Sequence, residues 1–162
     1  MIVMQRLIKR SQQRETRLGA ALVEMAVVMP VFGIFMAGVV EFGHVYMTIN
    51  TLNATARKAA RYGVADGITT AQVRTLAQDT IKKAFSTTNV TIDIKNASVF
   101  DSANFDASKV NYSTLPNATL DTMEPRDLFL VRITVPYDQV ALLPPFWAKN
   151  LTLSGQSAQR HE

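Results

Sequence analysis

Residues 18–40 read LGAALVEMAVVMPVFGIFMAGVV, and these 23 residues contain a single charged side chain, Glu24. As an α-helix the stretch rises about 35 Å, slightly more than the roughly 30 Å hydrocarbon core of a bilayer. The alternative, a buried helix of a soluble domain, rarely stays apolar on every face over this length. We therefore predict a transmembrane helix at residues 20–41. The apolar positions that mark it include Met25, Pro30, Phe32, Phe35 and Val40.

The excess basic charge of the chain is concentrated before this helix. Residues 1–18 hold five basic side chains and one acidic side chain, whereas the remaining 144 residues hold twelve of each. A nucleic-acid-binding domain spreads its basic residues over a folded face, so we predict no nucleic-acid partner. By the positive-inside rule, the N-terminus stays in the cytoplasm and the residues after the helix face the other side. A cleavable secretory signal is the competing interpretation, but its apolar region is about 7–15 residues long and ends at an A-x-A site, which does not follow Val40.

The helix is predicted to continue beyond the membrane. Apolar residues recur every three or four positions between residues 42 and 62, so one helix is expected from about Ala20 to Tyr62, and its extension at 42–62 covers a domain. Pro30 is expected to kink this helix because proline removes one intrahelical hydrogen bond. Gly63 follows as a candidate C-cap. The apolar stripe of the extension comprises Phe42, Val45, Tyr46, Ile49, Leu52, Ala56 and Ala59.

The rest of the chain, within a predicted extracytoplasmic domain at 42–162, mixes one helix with several strands. A capping-type start at Thr69 or Thr70 and an amphipathic pattern predict a second helix at 69–85. Alternation with period two predicts strands at 90–94, 128–135 and 151–159.

The connections between these strands differ in character. Residues 96–127 contain fifteen Asn, Asp, Ser or Thr residues in 32, which predicts a variable loop with one short strand near 110–113. Residues 142–147 predict an apolar loop bounded by prolines. Two helices followed by three or four strands favour an α+β fold, with an antiparallel sheet packed against the long helix.

The chain carries few of the residues that catalysis or metal binding requires. It contains no cysteine, and its two histidines, His44 and His161, are far apart in the sequence. It has no nucleophile elbow, phosphate-binding loop or dinucleotide-binding fingerprint. Asp101, Asn104 and Asp106 lack the spacing of a calcium loop. We therefore predict a non-enzymatic protein without cofactor or metal.

Two sequence patterns at the first helix point to a known family. A basic leader followed by Gly19-Ala20-Ala21-Leu22-Val23-Glu24 resembles the cleavage region of type IV pilin-like precursors. Further along, VEFG at 40–43, Leu52-Asn53 and ARKAARY at 56–62 are similar to the TadE-like proteins of tight-adherence (Tad/Flp) pilus systems. Those proteins typically read VEFG and then AAREGARY, and here Lys58 and Ala59 replace the acidic residue and the glycine. The ending of the chain, at 131–137, 142–144 and 151–162, also resembles the family. The motif residues carried over to this chain are Glu41, Phe42, Gly43, Arg57 and Arg61.

The resemblance implies a processing step and an assembly step. A prepilin peptidase would cut between Gly19 and Ala20 and remove the leader at 1–19. Glu24, then the fifth residue of the mature chain, would pair with the new α-amine of a neighbouring subunit. The resemblance thus implies a minor pilin or pseudopilin that supports assembly of a Tad-type pilus, with roles in adhesion and biofilms. It would be a single-pass protein of the bacterial inner membrane, or part of a pilus at the cell surface.

The implied partners are prepilin peptidase, other major and minor pilins, the Tad inner-membrane platform and the membrane itself. Three alternatives remain open: a membrane-anchored accessory protein that never enters a filament, an adhesin-like protein that uses the loop at 96–127, and a small membrane-anchored enzyme. For Glu24, the alternative is a carboxylate among the lipid headgroups, where its charge costs little.

Overall fold

The computed structural model describes residues 2–87, 89–102, 110–112 and 114–162, and it describes side chains from residue 19 onward. The chain divides into two compact units, Met1–Val40 and Glu41–Glu162. The first helix, α1, is assigned to Ile2–Tyr62 and contributes residues to both units.

Within the first unit, α1 begins at Ile2 and not near Ala20 as predicted. The leader is rich in Arg, Gln, Leu, Lys and Met, which are good helix formers, so its composition favours a helix. The charge pattern alone predicted only a basic leader before the membrane helix. The helix assignment continues through Pro30. Over the described residues 19–40, every residue except the half-buried Gly38 is exposed.

The second unit has the predicted α+β fold. After α1 come the helix α2 (Thr70–Phe85) and the strands β1 (Thr91–Asn96), β2 (Leu128–Pro136) and β3 (Thr152–Arg160). Within the described residues these form a three-stranded antiparallel sheet in the order β1-β2-β3.

A fourth strand was expected near 110–113, but residues 110–112 are not in a strand, and Ser113 lies outside the described residues. The extra pairing on β1 comes instead from 116–118. The Asn96 N–H donates to the Pro116 carbonyl at 2.8 Å, and the Ala118 N–H donates to the Ile94 carbonyl at 2.9 Å. These contacts cover part of the free edge of β1 with a short segment of the polar loop.

The central strand β2 supplies much of the core. Its alternate residues Phe129, Val131, Ile133 and Val135 are fully buried, as the period-two pattern predicted. They belong to a hydrophobic cluster with Leu52 and other buried residues of α1, α2 and the remaining strands. The strand therefore presents an apolar face to the helices of this unit.

The buried face of α1 in this unit differs from the predicted stripe. Val45, Leu52, Ala56 and Ala59 are buried as expected, and Ile49 is half-buried, but Phe42 and Tyr46 are exposed. In their place Thr48 and Thr55 are buried. Each threonine hydroxyl donates to the carbonyl four residues earlier, at 2.9 Å for Thr48 and 2.8 Å for Thr55. These hydrogen bonds remove the cost of burying the hydroxyl. Threonine can therefore occupy buried positions that a hydrophobicity pattern does not predict.

Of the two predicted caps between α1 and α2, the one that begins α2 is present and the glycine cap of α1 is not. The capping box at the start of α2 is confirmed, with Thr69 accepting from the Gln72 N–H and Gln72 accepting from the Thr69 N–H. Gly63 does follow α1 directly, but it is not in the left-handed conformation of a glycine cap. A Cβ at Gly63 would lie 3.0 Å from side-chain atoms of Leu120 and Val73, so this glycine leaves room for close packing.

Candidate anchoring and assembly sites on the first helix

The predicted processing and assembly residues lie on the surface of the first unit. Gly19, Ala20 and Glu24 are all exposed. Among the residues that the structure describes, a Cβ at Gly19 would meet nothing within 4 Å, so none of them blocks access to this residue. The three residues are therefore available to an enzyme or to another subunit.

The apolar residues of this unit are also exposed. Met25, Phe32, Phe35 and Val40 expose between 50% and 67% of their surface, and Pro30 is exposed as well. The candidate membrane span, Gly19–Tyr62, contains an 18-residue window with a mean hydropathy of 2.2 and no buried residues. Soluble monomers rarely expose a continuous apolar surface of this extent. The helix fits a single-pass membrane anchor.

In the second unit, the Glu41 carboxylate holds the loop that connects β2 to β3. Its Oε1 accepts hydrogen bonds from the backbone N–H groups of Ala148 at 2.7 Å, Trp147 at 3.0 Å and Phe146 at 3.1 Å. Three successive N–H groups that converge on one carboxylate form an anion-binding concavity. The Phe42 ring lies 6.5 Å from the Trp147 ring, so two consecutive helix residues contact the same loop. We call these contacts the Glu41 anchor.

The start of the same loop is held by a buried tyrosine. The Tyr137 hydroxyl donates to the Glu41 carbonyl at 3.4 Å and lies 3.1 Å from His44 Nδ1. Burial raises the pKa of Tyr137 above its usual value, and the negative charge of Glu41 raises it further. The phenol therefore stays neutral and keeps its proton for the hydrogen bond to the helix backbone.

A second anchor joins α1 to β3. The Asn53 side-chain oxygen accepts a hydrogen bond from the Gln156 N–H at 3.1 Å. Next to it, Gly155 packs so closely that a Cβ at this position would overlap the backbone of Leu52 and Asn53. The strand reaches the helix because residue 155 has no side chain.

The motif residues identified from the sequence thus divide into two groups. Glu41 and Phe42 contact the β2–β3 loop, whereas Arg57 and Arg61 are exposed on the helix. Gly43 is also exposed, and a Cβ there would meet nothing within 4 Å, so it packs against none of the residues that the structure describes.

Sequence reasoning missed the partners of the motif, namely Tyr137, Gly155 and the N–H groups at 146–148. The one available signal was a glycine inside an alternating strand, which often marks close backbone approach. No sequence pattern identified the loop N–H groups as ligands of a carboxylate. Within the residues that the structure describes, no three His, Cys, Asp or Glu side chains are grouped as metal ligands.

Together these features describe a protein with one exposed apolar N-terminal helix and a small α+β unit built on the continuation of that helix. Residues 19–61 match the family described as TadE-like protein. The match covers 43 of the 162 residues, so the chain is similar to TadE-like proteins over this segment, and the remaining residues lie outside the matched range. Searches of curated proteins and of solved structures found no match. The matched range includes Gly19 and Glu24 as well as the two anchors at Glu41 and Asn53.

We expect Glu41→Gln to loosen the β2–β3 loop. Glutamine keeps the shape of the side chain but removes the charge that attracts three N–H donors, and charge-assisted hydrogen bonds are roughly twice as strong as neutral ones. Chymotrypsin should therefore cut the loop at Phe146 or Trp147 faster in the variant than in the wild type. Glu124→Gln is the matched control, because Glu124 is exposed and lies outside the anchor. Equal cleavage rates in all three proteins would contradict the role of the Glu41 anchor.

Proposed function

We propose that this protein is a non-enzymatic minor pilin or pseudopilin that supports assembly of a Tad-type pilus. One observation carries the proposal: the TadE-like match begins at Gly19 and runs through the whole apolar helix to residue 61. The family associates the chain with Tad pilus systems and with pilus-system partners in general. The partners we propose are prepilin peptidase, other major and minor pilins and the inner-membrane platform.

The proposed first step is cleavage after Gly19 by prepilin peptidase on the cytoplasmic side of the membrane. The exposure of Gly19 and the five basic residues of the leader support it, because the basic flank keeps this end in the cytoplasm. Cleavage leaves a mature chain of 143 residues, since 162 minus 19 is 143. Its new N-terminus is the α-amine of Ala20, which is charged at neutral pH.

The proposed second step is pairing between that amine and Glu24 of a neighbouring subunit. Glu24 is the single charged side chain in an apolar stretch of 23 residues, and it is exposed. Two opposite charges that meet in apolar surroundings compensate each other, whereas either one alone is costly. The pairing works in only one register of two packed helices, so it also aligns the subunits.

The second unit supports the proposal through the way it uses α1. Its core and both anchors occupy helix positions from Glu41 onward, so the apolar residues before Glu41 remain available to lipid or to other helices. This division of one helix suits a subunit that moves from a membrane into a filament. The loop at 96–127 is the region we assign to contacts beyond the filament, although residues 103–109 and Ser113 lie outside the described part of the chain.

We expect Gly19→Arg to block processing. Arginine places a long charged side chain directly before the bond to be cut, whereas Gly19→Ala adds one methyl group and serves as the matched control. In peptidase-positive cells the arginine variant should accumulate as the longer precursor and be missing from sheared pili, while the alanine variant is cut. Immunoblots of membrane and pilus fractions measure both effects. A wild-type protein that stays uncut in the membrane would favour the anchored accessory protein instead.

A further inference from the structure

We propose that the loop between β2 and β3 contacts the lipid bilayer, with the segment 142–147 in the interfacial region of the membrane. This segment, which we call the apolar loop, reads LLPPFW. Leu142, Leu143 and Phe146 expose 77%, 68% and 78% of their surface. From residue 139 to residue 148 the chain carries no charged side chain. Three large apolar side chains in one uncharged exposed loop form a surface that water solvates poorly.

The backbone of the apolar loop suits an environment with little water. Pro144 and Pro145 have no N–H, and the N–H groups of Phe146, Trp147 and Ala148 all donate to Glu41. Residues 144–148 therefore present no free backbone N–H. An unsatisfied N–H in apolar surroundings costs several kcal/mol, which is why loops rarely enter lipid. The Glu41 anchor removes this cost for three N–H groups of the segment 144–148.

The Glu41 anchor also holds the apolar loop next to the end of the apolar stretch of α1. Glu41 directly follows Val40, the last residue of the uncharged run at 25–40. Because Glu41 binds the N–H groups of the loop, Phe146 and Trp147 lie beside the residue at which α1 leaves the apolar stretch. The Phe146 and Trp147 rings lie 4.9 Å apart, next to the exposed Phe42 ring.

The composition of this region favours lipid over a protein partner. Tryptophan and tyrosine concentrate at the membrane–water interface, where an apolar ring and a polar edge are both accommodated. Lys149, exposed directly after the apolar loop, carries a positive charge that anionic headgroups attract. The apolar loop thus resembles in its chemistry the apolar helix of the first unit, which itself fits a membrane anchor. This inference needs only membrane insertion of the helix and does not depend on entry into a filament.

The test uses Trp147, which is the only tryptophan of the chain. The full-length protein is reconstituted into vesicles of phosphatidylglycerol and phosphatidylcholine, with or without bromine atoms on the acyl chains of the phosphatidylcholine. We expect brominated lipid to remove most of the Trp147 emission, and we expect aqueous acrylamide to quench it weakly. Replacing Leu142 and Leu143 together by Ser should make acrylamide the stronger quencher, because the loop then loses two of its three exposed apolar side chains. Both leucines are exposed, so the double variant keeps the core intact.

The control moves the probe to the other end of the sheet. A Trp147→Phe, Val99→Trp variant places tryptophan just after β1, at the end where Asn96 pairs with Phe129. The apolar loop follows the opposite end of β2, and nine residues of strand span about 30 Å. The control should respond to acrylamide and not to brominated lipid.

Three results would overturn the inference. The first is that Trp147 behaves like the control tryptophan, which would place the loop in water. The second is that Trp147 is shielded from both quenchers, which would mean that protein covers the loop. The third is that the protein does not float with vesicles, which would also remove the membrane anchor from the proposed function. The first two results leave the proposed function intact.

Discussion

Glu24→Gln is expected to lower the amount of this protein in pili by two orders of magnitude or more, while membrane insertion stays unchanged. If the carboxylate compensates the α-amine of a neighbour, the amide leaves that amine buried and unpaired. Breaking a buried ion pair by removing one partner costs about 3–5 kcal/mol, and about 1.4 kcal/mol corresponds to a factor of ten. Insertion should persist, because removing a charge from an apolar helix lowers the cost of placing it in lipid.

The measurement is the amount of processed protein recovered with sheared pili, at equal expression. The matched control is Glu124→Gln, the same chemical change at an exposed position of the second unit. If Glu24 instead lies among the headgroups, its interactions resemble exposed ion pairs worth about 0–1 kcal/mol, and recovery falls by less than tenfold. Recovery of Glu24→Gln at the level of the control would therefore remove the ion pair from the account.

Gly155→Ala is expected to destabilise the second unit by about 3 kcal/mol, the upper part of the range for overpacked cores. The added methyl group would overlap the backbone of Leu52 and Asn53, and backbone atoms in the middle of a helix cannot move aside as a flexible side chain can. The strand must then shift away from α1. That shift would also lengthen the hydrogen bond from the Gln156 N–H to Asn53.

Thermal unfolding in detergent, followed by circular dichroism, compares this variant with Gly43→Ala. Gly43 lies within α1, and a Cβ there meets nothing within 4 Å, so alanine should stabilise the helix by about 0.5–1 kcal/mol. The same substitution is thus expected to lower the melting temperature at one position and to raise it at the other. A Gly155→Ala protein as stable as the wild type would contradict the close approach of β3 to α1.

Much of the fold was predictable because the periodic signals are long. The long apolar helix, the second helix and the alternation from Phe129 to Val135 each extend over enough residues for one face to be recognised. The capping box at Thr69 and Gln72 was predictable for a similar reason, since both partners belong to one local motif. Local rules and periodicity therefore identified the elements.

What could not be predicted depends on contacts between distant residues. Thr48 and Thr55 are buried because their hydroxyls bond to the helix backbone, and no hydrophobicity scale records that. Glu41 belonged to a recognised motif, but its ligands lie more than a hundred residues away in the chain. Gly155 acquires its role only when the sheet packs on α1. The family pattern identified the motif positions on the helix, whereas their contacts in the second unit are seen only in the structure.

The residue at the N-terminus of the protein recovered from sheared pili tests the proposed function most directly. Mass spectrometry of that fraction reads both the location and the processing of the chain in one experiment. We expect the chain in the pilus fraction of peptidase-positive cells to begin at Ala20. In cells without the peptidase, we expect the protein to keep residues 1–19, to stay in the membrane and to be missing from the pilus fraction. In peptidase-positive cells, a protein missing from the pilus fraction, or present there with residues 1–19 still attached, would contradict the proposed function.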